Sequence, residues 1–257
     1  MEALEEAAAG APLPPRDEAR SAARQQRRSA RKIAEESAAK QQRRNVFVGV
    51  AVIALVVAGV LIFLSRPQTP GVNIVAAEPL PATIAMNGAM LGTADAPVQI
   101  VEWGDYQCPA CGQLARGIAP RVISEYVVPG KASFEFRNFA FLGPESQRAA
   151  AAANCAEAQG AFWPYHDTLY VNQHGENQGA FTDERLKAIA DSLSLDATAF
   201  AACLDDPAMA AAVTTSTDDG REAGVNATPW LTVNGVRVEN WQDWATLSAA
   251  IDAAAKP

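Results

Sequence analysis

Nineteen consecutive residues without a charge, Val46–Leu64, divide this 257-residue chain into two parts with different surroundings. At a rise of about 1.5 Å per residue a helix over this run covers about 28 Å, close to the hydrocarbon core of a bilayer. A soluble core helix is rarely apolar on every face for so long. The run is also longer than the apolar stretch of a cleaved leader and follows a tail of 45 residues, so it is expected to stay as a membrane anchor. Charge sets its direction. Residues 1–44 hold ten Lys/Arg and seven Asp/Glu, with Arg43 and Arg44 against the run, whereas the chain after Ser65 holds 11 basic and 22 acidic residues. The positive-inside rule then puts the N-terminus in the cytoplasm and the larger part of the chain outside it. The basic tail has neither aromatic nor zinc-binding residues beside its charges, which favours a solvated segment next to a membrane over a nucleic-acid-binding one.

The expected organisation is a basic, disordered cytoplasmic tail over 1–45 and a single transmembrane helix over 46–64. A Pro-rich tether over 65–81 and an extracytoplasmic domain over 82–257 complete it. All four cysteines, at 108, 111, 155 and 203, fall in the outer part, where disulfides form and persist. Within that domain Thr83–Met86 reads as a short edge strand, followed by a loop through Gly92. Val98–Trp103 is a buried strand, and Cys111–Val127 is a helix disturbed at Pro120. Ala132–Phe139 alternates as a strand does. From about 145 to 224 the pattern is helical throughout, and Thr182 caps one of these helices. Asn234-Gly235 between β-prone runs predicts a hairpin, and a last helix runs over Trp241–Ala255.

The chemistry gathers at the end of the Val98–Trp103 strand, in Gly104-Asp105-Tyr106-Gln107-Cys108-Pro109-Ala110-Cys111. Two cysteines three apart at a helix start can close a small disulfide ring. The first stands where free backbone N–H groups and the helix dipole stabilise a thiolate. Zinc would want four ligands, and besides the isolated Cys155 and Cys203 the chain offers only His166 and His174, so no metal site is expected.

The ordered set Ile100–Cys111, Phe136-Arg137-Asn138-Phe139, Phe162-Trp163-Pro164-Tyr165-His166-Asp167 and Gly224–Pro229 ahead of Val233-Asn234-Gly235 resembles the DsbA-like branch of the thioredoxin superfamily. That resemblance spans about Met86 to Ile251. It implies an α/β thioredoxin fold with an inserted helical subdomain, here preceded by one transmembrane helix. The implied activity is thiol–disulfide oxidoreduction that introduces disulfides into exported proteins, with no cofactor beyond the cysteines.

By the same resemblance Cys108 is the exposed nucleophile and Cys111 the buried resolving thiol. Thr228 and Pro229 form a substrate-binding cis-proline loop. Glu102 matches a buried acid able to relay a proton, although a solvated edge-strand carboxylate is an equal reading of that residue. Asp105 follows Gly104, a turn able to point it outward. Cys155 and Cys203 match a structural disulfide of some membrane-tethered relatives. Reoxidation would fall to a quinone-linked membrane partner of the DsbB or vitamin-K-epoxide-reductase type.

Ala110 departs from the Pro-His dipeptide of strongly oxidising relatives, which implies a weaker oxidant. Two other functions stand beside the leading one, a tethered reductase or isomerase and a non-catalytic client-binding or chaperone module. His166 reads as packing or capping. Trp103, Trp163, Trp230 and Tyr106 could form an apolar surface near the cysteine pair, but most of them read as core.

Overall fold

The computed structural model describes residue 45, residues 47–50 and residues 72–256. The chain divides into two units, Met1–Thr69 and Pro70–Pro257. In the first, the described residues are helical, and Phe47, Val48 and Val50 are exposed. The tail up to residue 44, the rest of the apolar run and the beginning of the tether lie outside the described residues. Among the described residues no helix is long and apolar enough to cross a membrane.

The second unit is built on β3 (Val98–Gly104), which pairs in parallel with β4 (Ala132–Asn138) and antiparallel with β5 (Trp230–Val233). Short strands β1 (Met86–Asn87), β2 (Met90–Leu91) and β6 (Val236–Arg237) complete a six-stranded sheet in the order β1-β2-β4-β3-β5-β6. Period-two alternation sends Val98, Ile100 and Glu102 to one face and Val101 and Trp103 to the other. The first face carries the main core; the second holds a small cluster of Trp103, Phe139 and Val225.

Gly104 ends β3 under Phe136. A Cβ there would lie 2.4 Å from Phe136 Cε2 and 3.0 Å from Glu102 Oε1. Gly104→Ala is therefore expected to lower stability by about 1–3 kcal/mol through overpacking, read as an earlier midpoint in urea unfolding; an unchanged midpoint would contradict that crowding.

After β3 the chain enters one continuous helical stretch that alternates in pitch. It runs through α1 (Pro109–Gln113), a π segment over Leu114–Ile118, α2 (Ala119–Val122) and a second π segment over Ile123–Val127. Pro120 has no N–H to give the carbonyl four residues back. The ladder widens ahead of it, with the Ala119 amide bonding to Leu114 O instead.

Five helices form the insertion: α3 (Pro144–Glu157), α4 (Phe162–Val171), α5 (Asp183–Ser192), α6 (Ala197–Leu204) and α7 (Pro207–Glu222). The run Ala149–Ala153 lets α3 lie close against α4, α6 and α7. Cys155 on α3 and Cys203 on α6 are joined by a disulfide. Thr182 caps α5 as expected, its hydroxyl accepting from the Arg185 amide. Helix α8 (Trp244–Ala254) closes the domain.

Two expectations need correction. The first strand lies at Met86–Asn87 rather than Thr83–Met86, and Met90–Leu91 pairs back on it across a turn at Gly88 and Ala89. Residues 172–182 form the loop between α4 and α5. The last helix starts at Trp244, where the Asp243 carboxylate caps it, and Trp241 is buried ahead of it. The Asn234-Gly235 hairpin forms with both residues at positive φ, as a two-residue turn between twisted strands requires.

Candidate active site

Cys108 occupies the N-cap of α1 and Pro109 its first turn, where a missing N–H costs nothing. The loop leading to it is fixed by Asp105. This residue is buried rather than turned outward. Its Oδ1 accepts from the Gln107 amide at 2.8 Å and from Ser146 Oγ at 2.6 Å, and its Oδ2 from the amides of Phe141 and Leu142. Four donors satisfy the carboxylate and bind the end of β3 to the start of the insertion.

A second tie comes from the loop after α4. Gln173 Nε2 donates to the carbonyls of Tyr106 and Cys108, both at 2.8 Å. The oxygen of the same amide fills the space a Cβ on Gly112 would need. Asn177 and Ser146 hold the Gln107 side chain. None of these partners was legible in the sequence, since each acts across a tertiary contact and has no local spacing pattern.

Opposite α1, Thr228-Pro229 is a cis peptide, and the Cys108 Sγ lies 3.3 Å from the Thr228 carbonyl, to which its thiol donates. Cys108 is only 7% exposed. It is recessed under this loop rather than standing free, a correction to the exposed nucleophile expected. Cys111, one turn along the helix, is fully buried, and both residues are free thiols.

Their ionisation diverges. The Cys111 thiol donates to the Cys108 sulfur and outweighs the burial that opposes charge. The Thr228 hydroxyl and the amides of Cys111 and Ala110 add to it, and the Cys108 pKa falls to about 6. Thr228 Oγ1 is buried without another partner, free to donate to the thiolate. Burial pushes the Cys111 thiol well above its usual range, helped by the bond to Cys108 and the charge of Glu102.

Iodoacetamide labelling of Cys108 should therefore be half-maximal near pH 6, and Thr228→Val should move that midpoint upward. Labelling with an ordinary thiol midpoint of about 8.5 would contradict the stabilised thiolate.

Glu102 is 1% exposed, on the central strand of the sheet rather than at an edge. Desolvation first, then the charges of Cys108 and Asp167, raise its pKa to about 8. Its Oε1 has no hydrogen-bond partner. His166 is buried among Phe136, Phe162 and Trp163, whereas His174 is exposed in the loop after α4. The chemistry available is that of a recessed thiolate paired with a buried thiol, beside a buried acid that keeps its proton at neutral pH.

Residues 85–253 match the family model described as thioredoxin. The chain is 32% identical to the probable disulfide bond formation protein D of Bacillus cereus over 166 residues, which is 63% of this chain and 76% of that protein. It is 30% identical to disulfide bond formation protein D of Bacillus subtilis, over 63% and 75% of the two chains. Among solved structures, oxidised BdbD from Bacillus subtilis superimposes with a TM-score of 0.62 at 28% identity, covering 72% of this chain and 99% of that one.

Proposed function

The chain belongs to the thioredoxin family and is a thiol–disulfide oxidoreductase of the disulfide-forming kind, and from that premise we propose that Cys108 and Cys111 are its working couple. In the oxidised enzyme a substrate thiolate attacks Cys108 and breaks the Cys108–Cys111 bond, and Cys111 leaves as a thiolate. Glu102, which holds a proton at neutral pH, gives it to that buried sulfur. A second thiolate of the substrate then attacks the substrate sulfur of the mixed disulfide. The substrate disulfide forms, and Cys108 departs as a thiolate. Thr228 and Pro229 receive the substrate backbone as an added strand.

The observation that carries the oxidising direction is the environment of Cys108. Stabilising its thiolate stabilises the reduced enzyme and raises the reduction potential of the couple. Ala110 supplies no imidazole to that stabilisation, which supports a milder oxidant than the Pro-His relatives. The clients are thiols of exported proteins, and the reoxidant is a quinone-linked membrane partner of the DsbB or vitamin-K-epoxide-reductase type. In this reading residues 46–64 anchor the chain with its tail, 1–45, in the cytoplasm. The tether, 65–81, then leads to the catalytic domain, 82–257, outside, with the Cys155–Cys203 bridge as a purely structural element.

Equilibration of the full chain with glutathione tests the reading. A potential above that of thioredoxin, about −270 mV, is the expected result; one at or below it would make the chain a reductase.

A further inference from the structure

A cavity of about 490 Å³ lies on the core side of β3, away from the cis-proline loop, and Glu102 lines it. At about 30 Å³ per molecule it has room for several waters. Exposed residues Glu78, Pro79, Pro120 and Ser124 form its mouth. His166 lines the same space. Three buried polar atoms of its lining residues have no hydrogen-bond partner, Glu102 Oε1, Trp163 Nε1 and His166 Nε2. Leaving buried polar groups unpaired is costly, so three on one cavity need a reason.

The tautomer of His166 supplies one. Its Nδ1 lies 2.8 Å from the Asp167 carboxylate, which can only accept, so Nδ1 carries the hydrogen. Nε2 of the neutral ring is then a bare acceptor, and a proton taken there leaves the Nδ1–H bond to Asp167 in place. Asp167 is itself about a quarter exposed.

We propose that this cavity is the proton route of Glu102 and that His166 is its relay, a positioning residue that acts on the couple through Glu102. The inference rests on the reading of Glu102 as the acid that serves Cys111. When Cys111 leaves as a thiolate, the Glu102 proton moves to its sulfur and the carboxylate is left charged in the core. A proton from bulk solvent, carried along water in the cavity, is taken up at His166 Nε2, and the imidazolium passes it on to Glu102, restoring both groups. When the couple is reoxidised the proton runs outward along the same atoms. The surrounding groups that bear on this step are Cys108 and Cys111 on α1, Tyr106 ahead of it, Tyr170 beside His166, and Glu78 on the tether. The remaining cation on the cavity wall, Arg116, is engaged by the Tyr170 carbonyl.

The test is a single turnover in which the oxidised full chain oxidises a dithiol peptide, run from pH 5 to 9, with the protonated-carboxyl band of Glu102 followed in the infrared as it is lost and regained. His166→Ala is expected to slow its return by roughly a hundredfold, the lower end of what a positioned proton-transfer group contributes. Free imidazole should enter the vacated space and restore both the rate and the pH profile. Glu102→Gln should slow the reaction in a way imidazole does not repair. A His166→Ala enzyme with wild-type rates, or with a loss that imidazole leaves untouched, overturns the relay while Glu102→Gln still slows turnover. A Glu102→Gln enzyme with an unchanged profile overturns the acid and the relay together.

Discussion

Cys111→Ser is expected to arrest the reaction halfway, with the enzyme covalently joined to its substrate through Cys108. In the native pair Cys108, with a pKa of about 6, is roughly nine-tenths thiolate at pH 7, a serine hydroxyl at 111 can donate to it in place of the lost thiol, and the thiolate is the nucleophile. The variant can attack a substrate disulfide but has no second sulfur to expel the partner. Adducts that disappear on reduction should accumulate on non-reducing gels. Cys108→Ser should form none and transfer no disulfides, because a hydroxyl is not ionised at neutral pH and the only other thiol of the pair, Cys111, is fully buried. Disulfide transfer retained by Cys108→Ser would sink the assignment of the couple, and so would a Cys111→Ser enzyme that traps nothing.

Removal of the other pair acts on stability instead. Cys155 and Cys203 are 48 residues apart in sequence. Closing a loop of that size removes unfolded-state entropy worth about 4 kcal/mol. Replacing both cysteines with serine should therefore lower the melting temperature by roughly 8–16 °C for a domain of this size. Calorimetry without reductant measures it directly. A shift of only a degree or two would mean that residual structure already restricts the unfolded chain.

The parts of the fold that were legible in the sequence are those whose cause is local. Asn234-Gly235 dictates its hairpin by backbone preference alone. Thr182 signals its cap, and the strand before Cys108 signals its burial by composition. The pieces that were not legible are of two kinds. Met86–Asn87 and Met90–Leu91 are two residues each, too short for any period, and exist because β4 offers an edge to pair with.

The supports of the candidate site are the second kind. Asp105 is held by amides from the loop after β4, and the Cys108 carbonyl by Gln173 from beyond α4. Such contacts exist only once the insertion has folded back over the sheet. Glu102 lies between the two kinds. Its parity with Val98 and Ile100 points it into the core, but only the central place of β3 in the sheet makes that face a buried one.

The bridge between α3 and α6 also makes this protein a client of the reaction class it belongs to. Each new copy has four thiols and must join the right two while leaving Cys108 and Cys111 free to cycle. Cys155 is wholly enclosed in the finished domain, so its oxidation has to come before the last packing of the insertion, when Cys108 can still reach it.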